Sequence, residues 1–84
     1  MDDEFVTVHN ANWLHEALFV KSVLEVDGIS AFVPDEHTVS VDPALVAALG
    51  GVRVQVPKAD ADRARQILAT ALPADAENPA DFAQ

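Results

Sequence analysis

NWLHEALFVKSVLEVDGI, from Asn12 to Ile29, is the stretch whose reading decides the fold. Trp13, Ala17, Val20 and Leu24 recur at i, i+4, i+7 and i+11, a spacing that draws one apolar stripe along a helix. Leu14, Leu18 and Val23 widen the stripe, and Glu16, Lys21, Ser22, Glu25 and Asp27 lie away from it. Asn12 is placed to cap the start, because its side-chain oxygen can accept from a first-turn N–H. Gly28 is placed to end it in a left-handed turn, with Leu24 and Ile29 as the apolar pair of a Schellman ending. A thinner stripe, His15, Phe19, Ser22 and Val26, runs along the opposite side. It reads either as ordinary partly covered surface or as a partner-binding face with His15, Phe19 and Val26 as its contacts.

The rest of the chain supplies a layer for the main stripe. Phe5 to His9 alternates as a first strand, with Val6 and Val8 on one face and Phe5, Thr7 and His9 on the other. Ala31 to Val33 is a short apolar strand stopped by Pro34. Thr38 to Asp42 alternates again, Val39 and Val41 inward, so that Asp35-Glu36-His37 becomes the turn of an antiparallel hairpin. Pro43 to Leu49 reads as a helical turn or two with proline at its start, closed by Gly50-Gly51. Val52 to Val56 is a further strand, its valines on one side and Arg53 and Gln55 on the other, closed by Pro57. A second helix runs from Ala59 to Leu72, with Asp60 and Asp62 where the positive end of its dipole favours them and Pro73 as its stop. Residues 1–73 then form one domain, and 74–84 an acidic, flexible tail in which Phe82 is the one candidate anchor.

The chain has 84 residues, half of them apolar, no cysteine and a formal net charge of −9. Disulfide and zinc-thiolate chemistry are excluded. Only five Lys and Arg are available to meet phosphates, so nucleic acid is not an expected partner. No apolar run approaches the roughly 20 residues of a membrane span, and Met1-Asp2-Asp3-Glu4 lacks the basic start of a signal peptide. A cytoplasmic protein with no membrane partner is the expectation.

Glu16-Ala17, Lys21, Leu24-Glu25, Gly28-Ile29, Ala31-Phe32, Asp35-Glu36-His37, GGVRVQVP (50–57) and ADADRARQIL (59–68) occur in an order that resembles the putative prokaryotic signal-transducing protein family. The resemblance spans residues 5 to 72. It implies an α+β fold, a ferredoxin-like two-layer sandwich with a mostly antiparallel four-stranded sheet and two main helices on one face, similar to the PII-type nitrogen regulators. It carries no catalytic residue. Such a sheet ends with a strand after its second helix, a slot held here by the proline-containing tail. Either Val52 to Val56 supplies the fourth strand, or the sheet borrows an edge from a second subunit.

If the helices cover the valines, the other sheet face gathers Thr7, His9, Thr38, Ser40, Arg53 and Gln55, with Phe5 at its edge. The face is solvated, a subunit or partner contact, or the floor of a small-ligand site in which Arg53 would meet an anion and His9 would hydrogen-bond. Thr7, His9, Ser40, Arg53 and Gln55 are its candidate binding residues. The three histidines have no metal-ligand spacing, no serine has the context of a nucleophile, and Gly50-Gly51 lacks the strand–loop–helix order of a phosphate loop. No metal or cofactor is expected. The function expected is a non-enzymatic regulatory or protein-interaction module, acting through a protein partner, a homodimer or a small metabolite. The competing readings are a purely structural dimeric partner domain and a small-molecule enzyme using the open sheet face.

Overall fold

A computed structural model describes residues 4–72. The boundary at residue 73 and the tail 74–84 with Phe82 lie outside the described residues. The elements in order are β1 (Phe5–Ala11), α1 (Leu14–Val26), α2 (Glu36–Val41), α3 (Leu45–Leu49), β2 (Val52–Pro57), a 3₁₀ turn (Lys58–Asp60) and α4 (Ala61–Ala71). β1 and β2 pair antiparallel. Ala17, Val20 and Leu24 of α1 and Ala61, Ala64 and Leu68 of α4 close over Val52, Val54 and Val56, and all nine are buried in one core with Ala11, Ile29, Val33 and Val39. No described helix is long and apolar enough to cross a membrane.

The four-stranded ferredoxin-like sheet is overturned: the described chain forms a two-stranded antiparallel sheet and four helices. The Ala31–Val33 strand is reduced to a single bridge, in which Phe32 and Gln55 exchange both main-chain hydrogen bonds at 2.8 and 2.7 Å. Prolines stop it from growing. With Phe32 opposite Gln55, the antiparallel register would set Pro34 against Arg53 and Ser30 against Pro57. Each of those pairs lacks one N–H, and proline does not extend a ladder. Thr38–Asp42, expected as the return strand, is instead the helix α2 and its C-cap. Val39 enters the core, whereas Val41, expected beside it, is 71% exposed. Two valines in five residues are too few to separate a period of 2 from a helical turn. With β2's outer edge blocked, the segment has no strand to pair with and satisfies its backbone internally.

α1 ends as its residues require. The Ile29 N–H donates to the Leu24 carbonyl at 3.1 Å and the Gly28 N–H to that of Glu25 at 3.0 Å, with Gly28 at φ 82°. This is the Schellman pair of bonds, and Leu24 and Ile29, the apolar pair of such an ending, are both buried in the core. Arg63 of α4 adds a bond from its guanidinium to the Asp27 carbonyl at 2.7 Å. The start of α1 differs from expectation. β1 continues to Ala11, so the cap position falls on Trp13, which is 60% exposed and makes no side-chain cap bond. Asn12 is not the cap. Its N–H instead donates to Oε1 of Glu16, in the first turn, at 3.2 Å. α4 begins two residues later than expected because Lys58–Asp60 winds as a 3₁₀ turn.

Gly51 marks where the α3–β2 corner closes on the end of β1. A Cβ there would lie 2.5 Å from Asn10 Oδ1 and 2.8 Å from the Ala11 carbonyl oxygen, at φ 119°. At Gly28 a Cβ would meet nothing within 4 Å. Gly28→Ala is therefore expected to cost only the left-handed backbone penalty, about 1–2 kcal/mol, and Gly51→Ala distinctly more. Leu24→Ala, at the centre of the core, is expected to cost about 2–5 kcal/mol. Urea unfolding of the three variants checks both the order and the sizes.

Candidate functional site

The sheet face turned away from α1 and α4 is built from alternate residues of the two strands. Phe5 stands opposite Pro57, Thr7 opposite Gln55 and Asn10 opposite Arg53. Gln55 Nε2 donates to Thr7 Oγ1 at 3.1 Å, joining the strands through side chains. Phe32 lies on the same face as Gln55 because the two are bridged. Its ring meets that of Phe5 edge to face, with centroids 6.0 Å apart, a favoured aromatic geometry. Both rings remain in water over much of their surface: Phe5 is 45% and Phe32 51% exposed. Asp35 completes the face, accepting from Arg53 Nε at 3.1 Å and from Arg53 Nη2 at 3.0 Å. This bidentate pair pins the segment after Pro34 to β2. The bonds from Arg53, and to a lesser degree its positive charge, hold the Asp35 carboxyl below its ordinary value against a smaller opposing effect of burial. The same bonds raise Arg53.

Of the candidate residues on this face, Thr7, Arg53 and Gln55 are brought together. His9 is not. The β1–β2 register shifts between Thr7 and His9, so that Val8 is the extra residue and His9 falls opposite Val54. The odd residue reverses the alternation and turns His9 to the helix side, where Nε2 lies 2.9 Å from Glu16 Oε2. Glu16 thus holds the end of β1 with one oxygen and the Asn12 N–H with the other. Ser40 is not on the sheet either. It lies in α2, where its hydroxyl donates to the His37 carbonyl at 2.9 Å, and Thr38 leaves the face with it. Phe32 and Asp35 belong to the face without having been assigned to it. Phe32 was legible in principle: once Val33 points inward, alternation turns Phe32 outward. Nothing in the sequence paired Asp35 with Arg53.

The second candidate surface, His15, Phe19 and Val26, is exposed along α1. It is divided rather than continuous. His15 borders a hollow of about 380 Å³ with Trp13, Leu14, Pro43 and Val46. Val26, 86% exposed, borders an open groove of about 630 Å³ between α1 and α4 with Val23, Arg63 and Ile67. Phe19 lines neither. A smaller hollow of about 350 Å³ lies between Phe32, Pro34, His37 and Ser40. Among the described residues no group of three or more His, Asp or Glu could hold a metal ion. The Ser22 hydroxyl, like that of Ser40, is engaged with a helix carbonyl.

Asp35 protonates at lower pH in the folded chain than in the unfolded one, whose ordinary value is about 3.9. The unfolded state therefore binds more protons in that window, and stability from the pair is complete above it and lost as pH falls through the lowered value. Wild type and Arg53→Gln are expected to differ in urea midpoint near neutral pH and to converge in acid. NMR titration should show the Asp35 carboxyl rising in Arg53→Gln.

No curated protein and no solved structure matches the chain. The sequence profile described as "putative prokaryotic signal transducing protein" matches residues 5–71. That span takes in both strands, all four helices and every residue of the uncovered face, and the chain belongs to this family.

Proposed function

We propose that the protein is a non-enzymatic, cytoplasmic interaction module that relays a signal by docking a protein partner on its uncovered sheet face. The observation that carries this reading is the exposed Phe5–Phe32 pair beside the neutral Thr7–Gln55 bond. Large apolar side chains grouped at a surface and rimmed by polar groups are the usual makings of a protein contact, and aromatic anchors carry much of the binding energy in such contacts. The family description, a signal-transducing protein, agrees with a relay role. A small anion is the weaker reading of the face, because the Arg53 guanidinium that would receive it is already held by both oxygens of Asp35.

Charge narrows the partner. The chain carries −9 overall, and four of its five cations are engaged within it: Arg53 with Asp35, Lys58 with Glu4 at 3.9 Å, Arg65 with Asp62 at 3.7 Å, and Arg63 with the Asp27 carbonyl. The partner that fits is a protein surface of net positive charge with apolar side chains to seat on the two rings.

Phe32→Asp removes one ring and adds a charge at the centre of the face, while Phe19→Asp makes the same change on α1. Immobilised wild type and Phe19→Asp are expected to retain the same partner from the native cell extract, less of it as salt rises, and Phe32→Asp to lose it. Equal capture by all three would remove the sheet face from consideration.

A further inference from the structure

The outer edge of β1, the side away from β2, is a different surface from the face just described. Gln55 directs its N–H and carbonyl to Phe32, away from β1. In an antiparallel ladder the residue opposite then directs its own groups away as well, so Thr7, opposite Gln55, points its N–H and carbonyl out of the sheet. Phe5, two residues earlier, does the same. The bond from the Lys58 N–H to the Glu4 carbonyl, 2.9 Å, fits this alternation, because it places the inward-directed residues at 4 and 6. No described residue bonds to the outward main-chain groups of Phe5 or Thr7. Past Thr7 the extra residue Val8 breaks the flat edge, which confines further pairing to this short window.

We propose that this edge pairs with the same edge of a second copy of the chain, antiparallel about a two-fold axis through Val6. The window is self-complementary. In that register Phe5 of one copy faces Thr7 of the other, each pair exchanging both of its main-chain bonds, and Val6 faces Val6 in the close, non-bonded position. The contact is isologous, as a two-fold requires. Charge permits it. Phe5, Val6 and Thr7 are neutral in a chain of −9, and Glu4 would face Val8, not another acid, while lying 3.9 Å from Lys58 of its own chain. The product is one antiparallel sheet in the order β2, β1, β1, β2, with the helices of both copies on one face and both Phe5–Phe32 pairs on the other. The assembly does not depend on the docking proposal, since edge and face are read by different experiments.

Light scattering on the eluting full-length protein is expected to give twice the mass of one chain. Thr7→Pro removes the outward N–H together with the Gln55 side-chain bond, and should weaken association by at least about tenfold. Thr7→Val, which loses the Gln55 side-chain bond but keeps the edge, should associate as wild type does. The chain has no cysteine, so Val6→Cys reads the register directly. Across the two-fold the two Cα atoms would lie about 4.5 Å apart, within disulfide reach. Mild oxidation should link Val6→Cys chains into covalent dimers and leave Phe5→Cys chains unlinked. A monomeric wild type overturns the proposal, as does a dimer that survives Thr7→Pro or in which Val6→Cys fails to link. Slow amide exchange at Thr7 in a monomer would place another segment of the same chain on the edge, and overturns it too.

Discussion

Val52, Val54 and Val56 are fully buried, and the structure depends on the contact they make with α1 and α4. Each fully buried valine is worth about 1.5–3 kcal/mol in transfer from water, and the facing residues Ala17, Val20 and Leu24 are buried as completely. A described chain with so small a sheet has little other means of offsetting its conformational entropy. That contact also orients β2. With the valines held down, Arg53 and Gln55 stand up, and the main chain of β2 serves β1 on one side and Phe32 on the other.

Proline and an odd residue set the limits of the sheet. Pro34 and Pro57 hold the third segment to a single bridge at Phe32, so the chain from Asp35 onward turns into two short helices instead of returning as a strand. The extra residue at Val8 divides β1 into two parts of opposite facing. Before it, Phe5 and Thr7 belong to the uncovered face. After it, His9 faces the helices and meets Glu16, and Ala11 enters the core. One inserted residue thus moves a histidine from a surface where it could meet a ligand to a junction where it ties β1 to α1. Polar pairing there is local: no buried side-chain nitrogen or oxygen among the described residues lacks a partner.

The uncovered face combines an exposed aromatic pair with polar groups already satisfied within the chain. Thr7 and Gln55 bond to each other and Arg53 is held by Asp35. A partner that covers these groups need not strip them of partners, which lowers the desolvation cost of docking. The energy of a contact would then come from the two rings, and its selectivity from charge around them.

Much of this was legible in the residues. The period of Ala17, Val20 and Leu24, the Schellman ending at Gly28, the strand Val52 to Val56 with its alternation and the short helix before Gly50 are local patterns, each written within one element; Trp13, read at the head of the same stripe, is instead 60% exposed. What the local pattern could not carry was pairing. Thr38–Val41 fits a strand or a helix equally well in isolation, and the blocked edge of β2 decided between them. The facing of His9 depends on a register shift that exists only between two strands. The ion pair of Asp35 with Arg53 joins residues 18 apart in the chain. Periodicity is a property of one segment and can be read along it. Register, bulges and cross-strand contacts are relations between segments, and only the tertiary structure decided them.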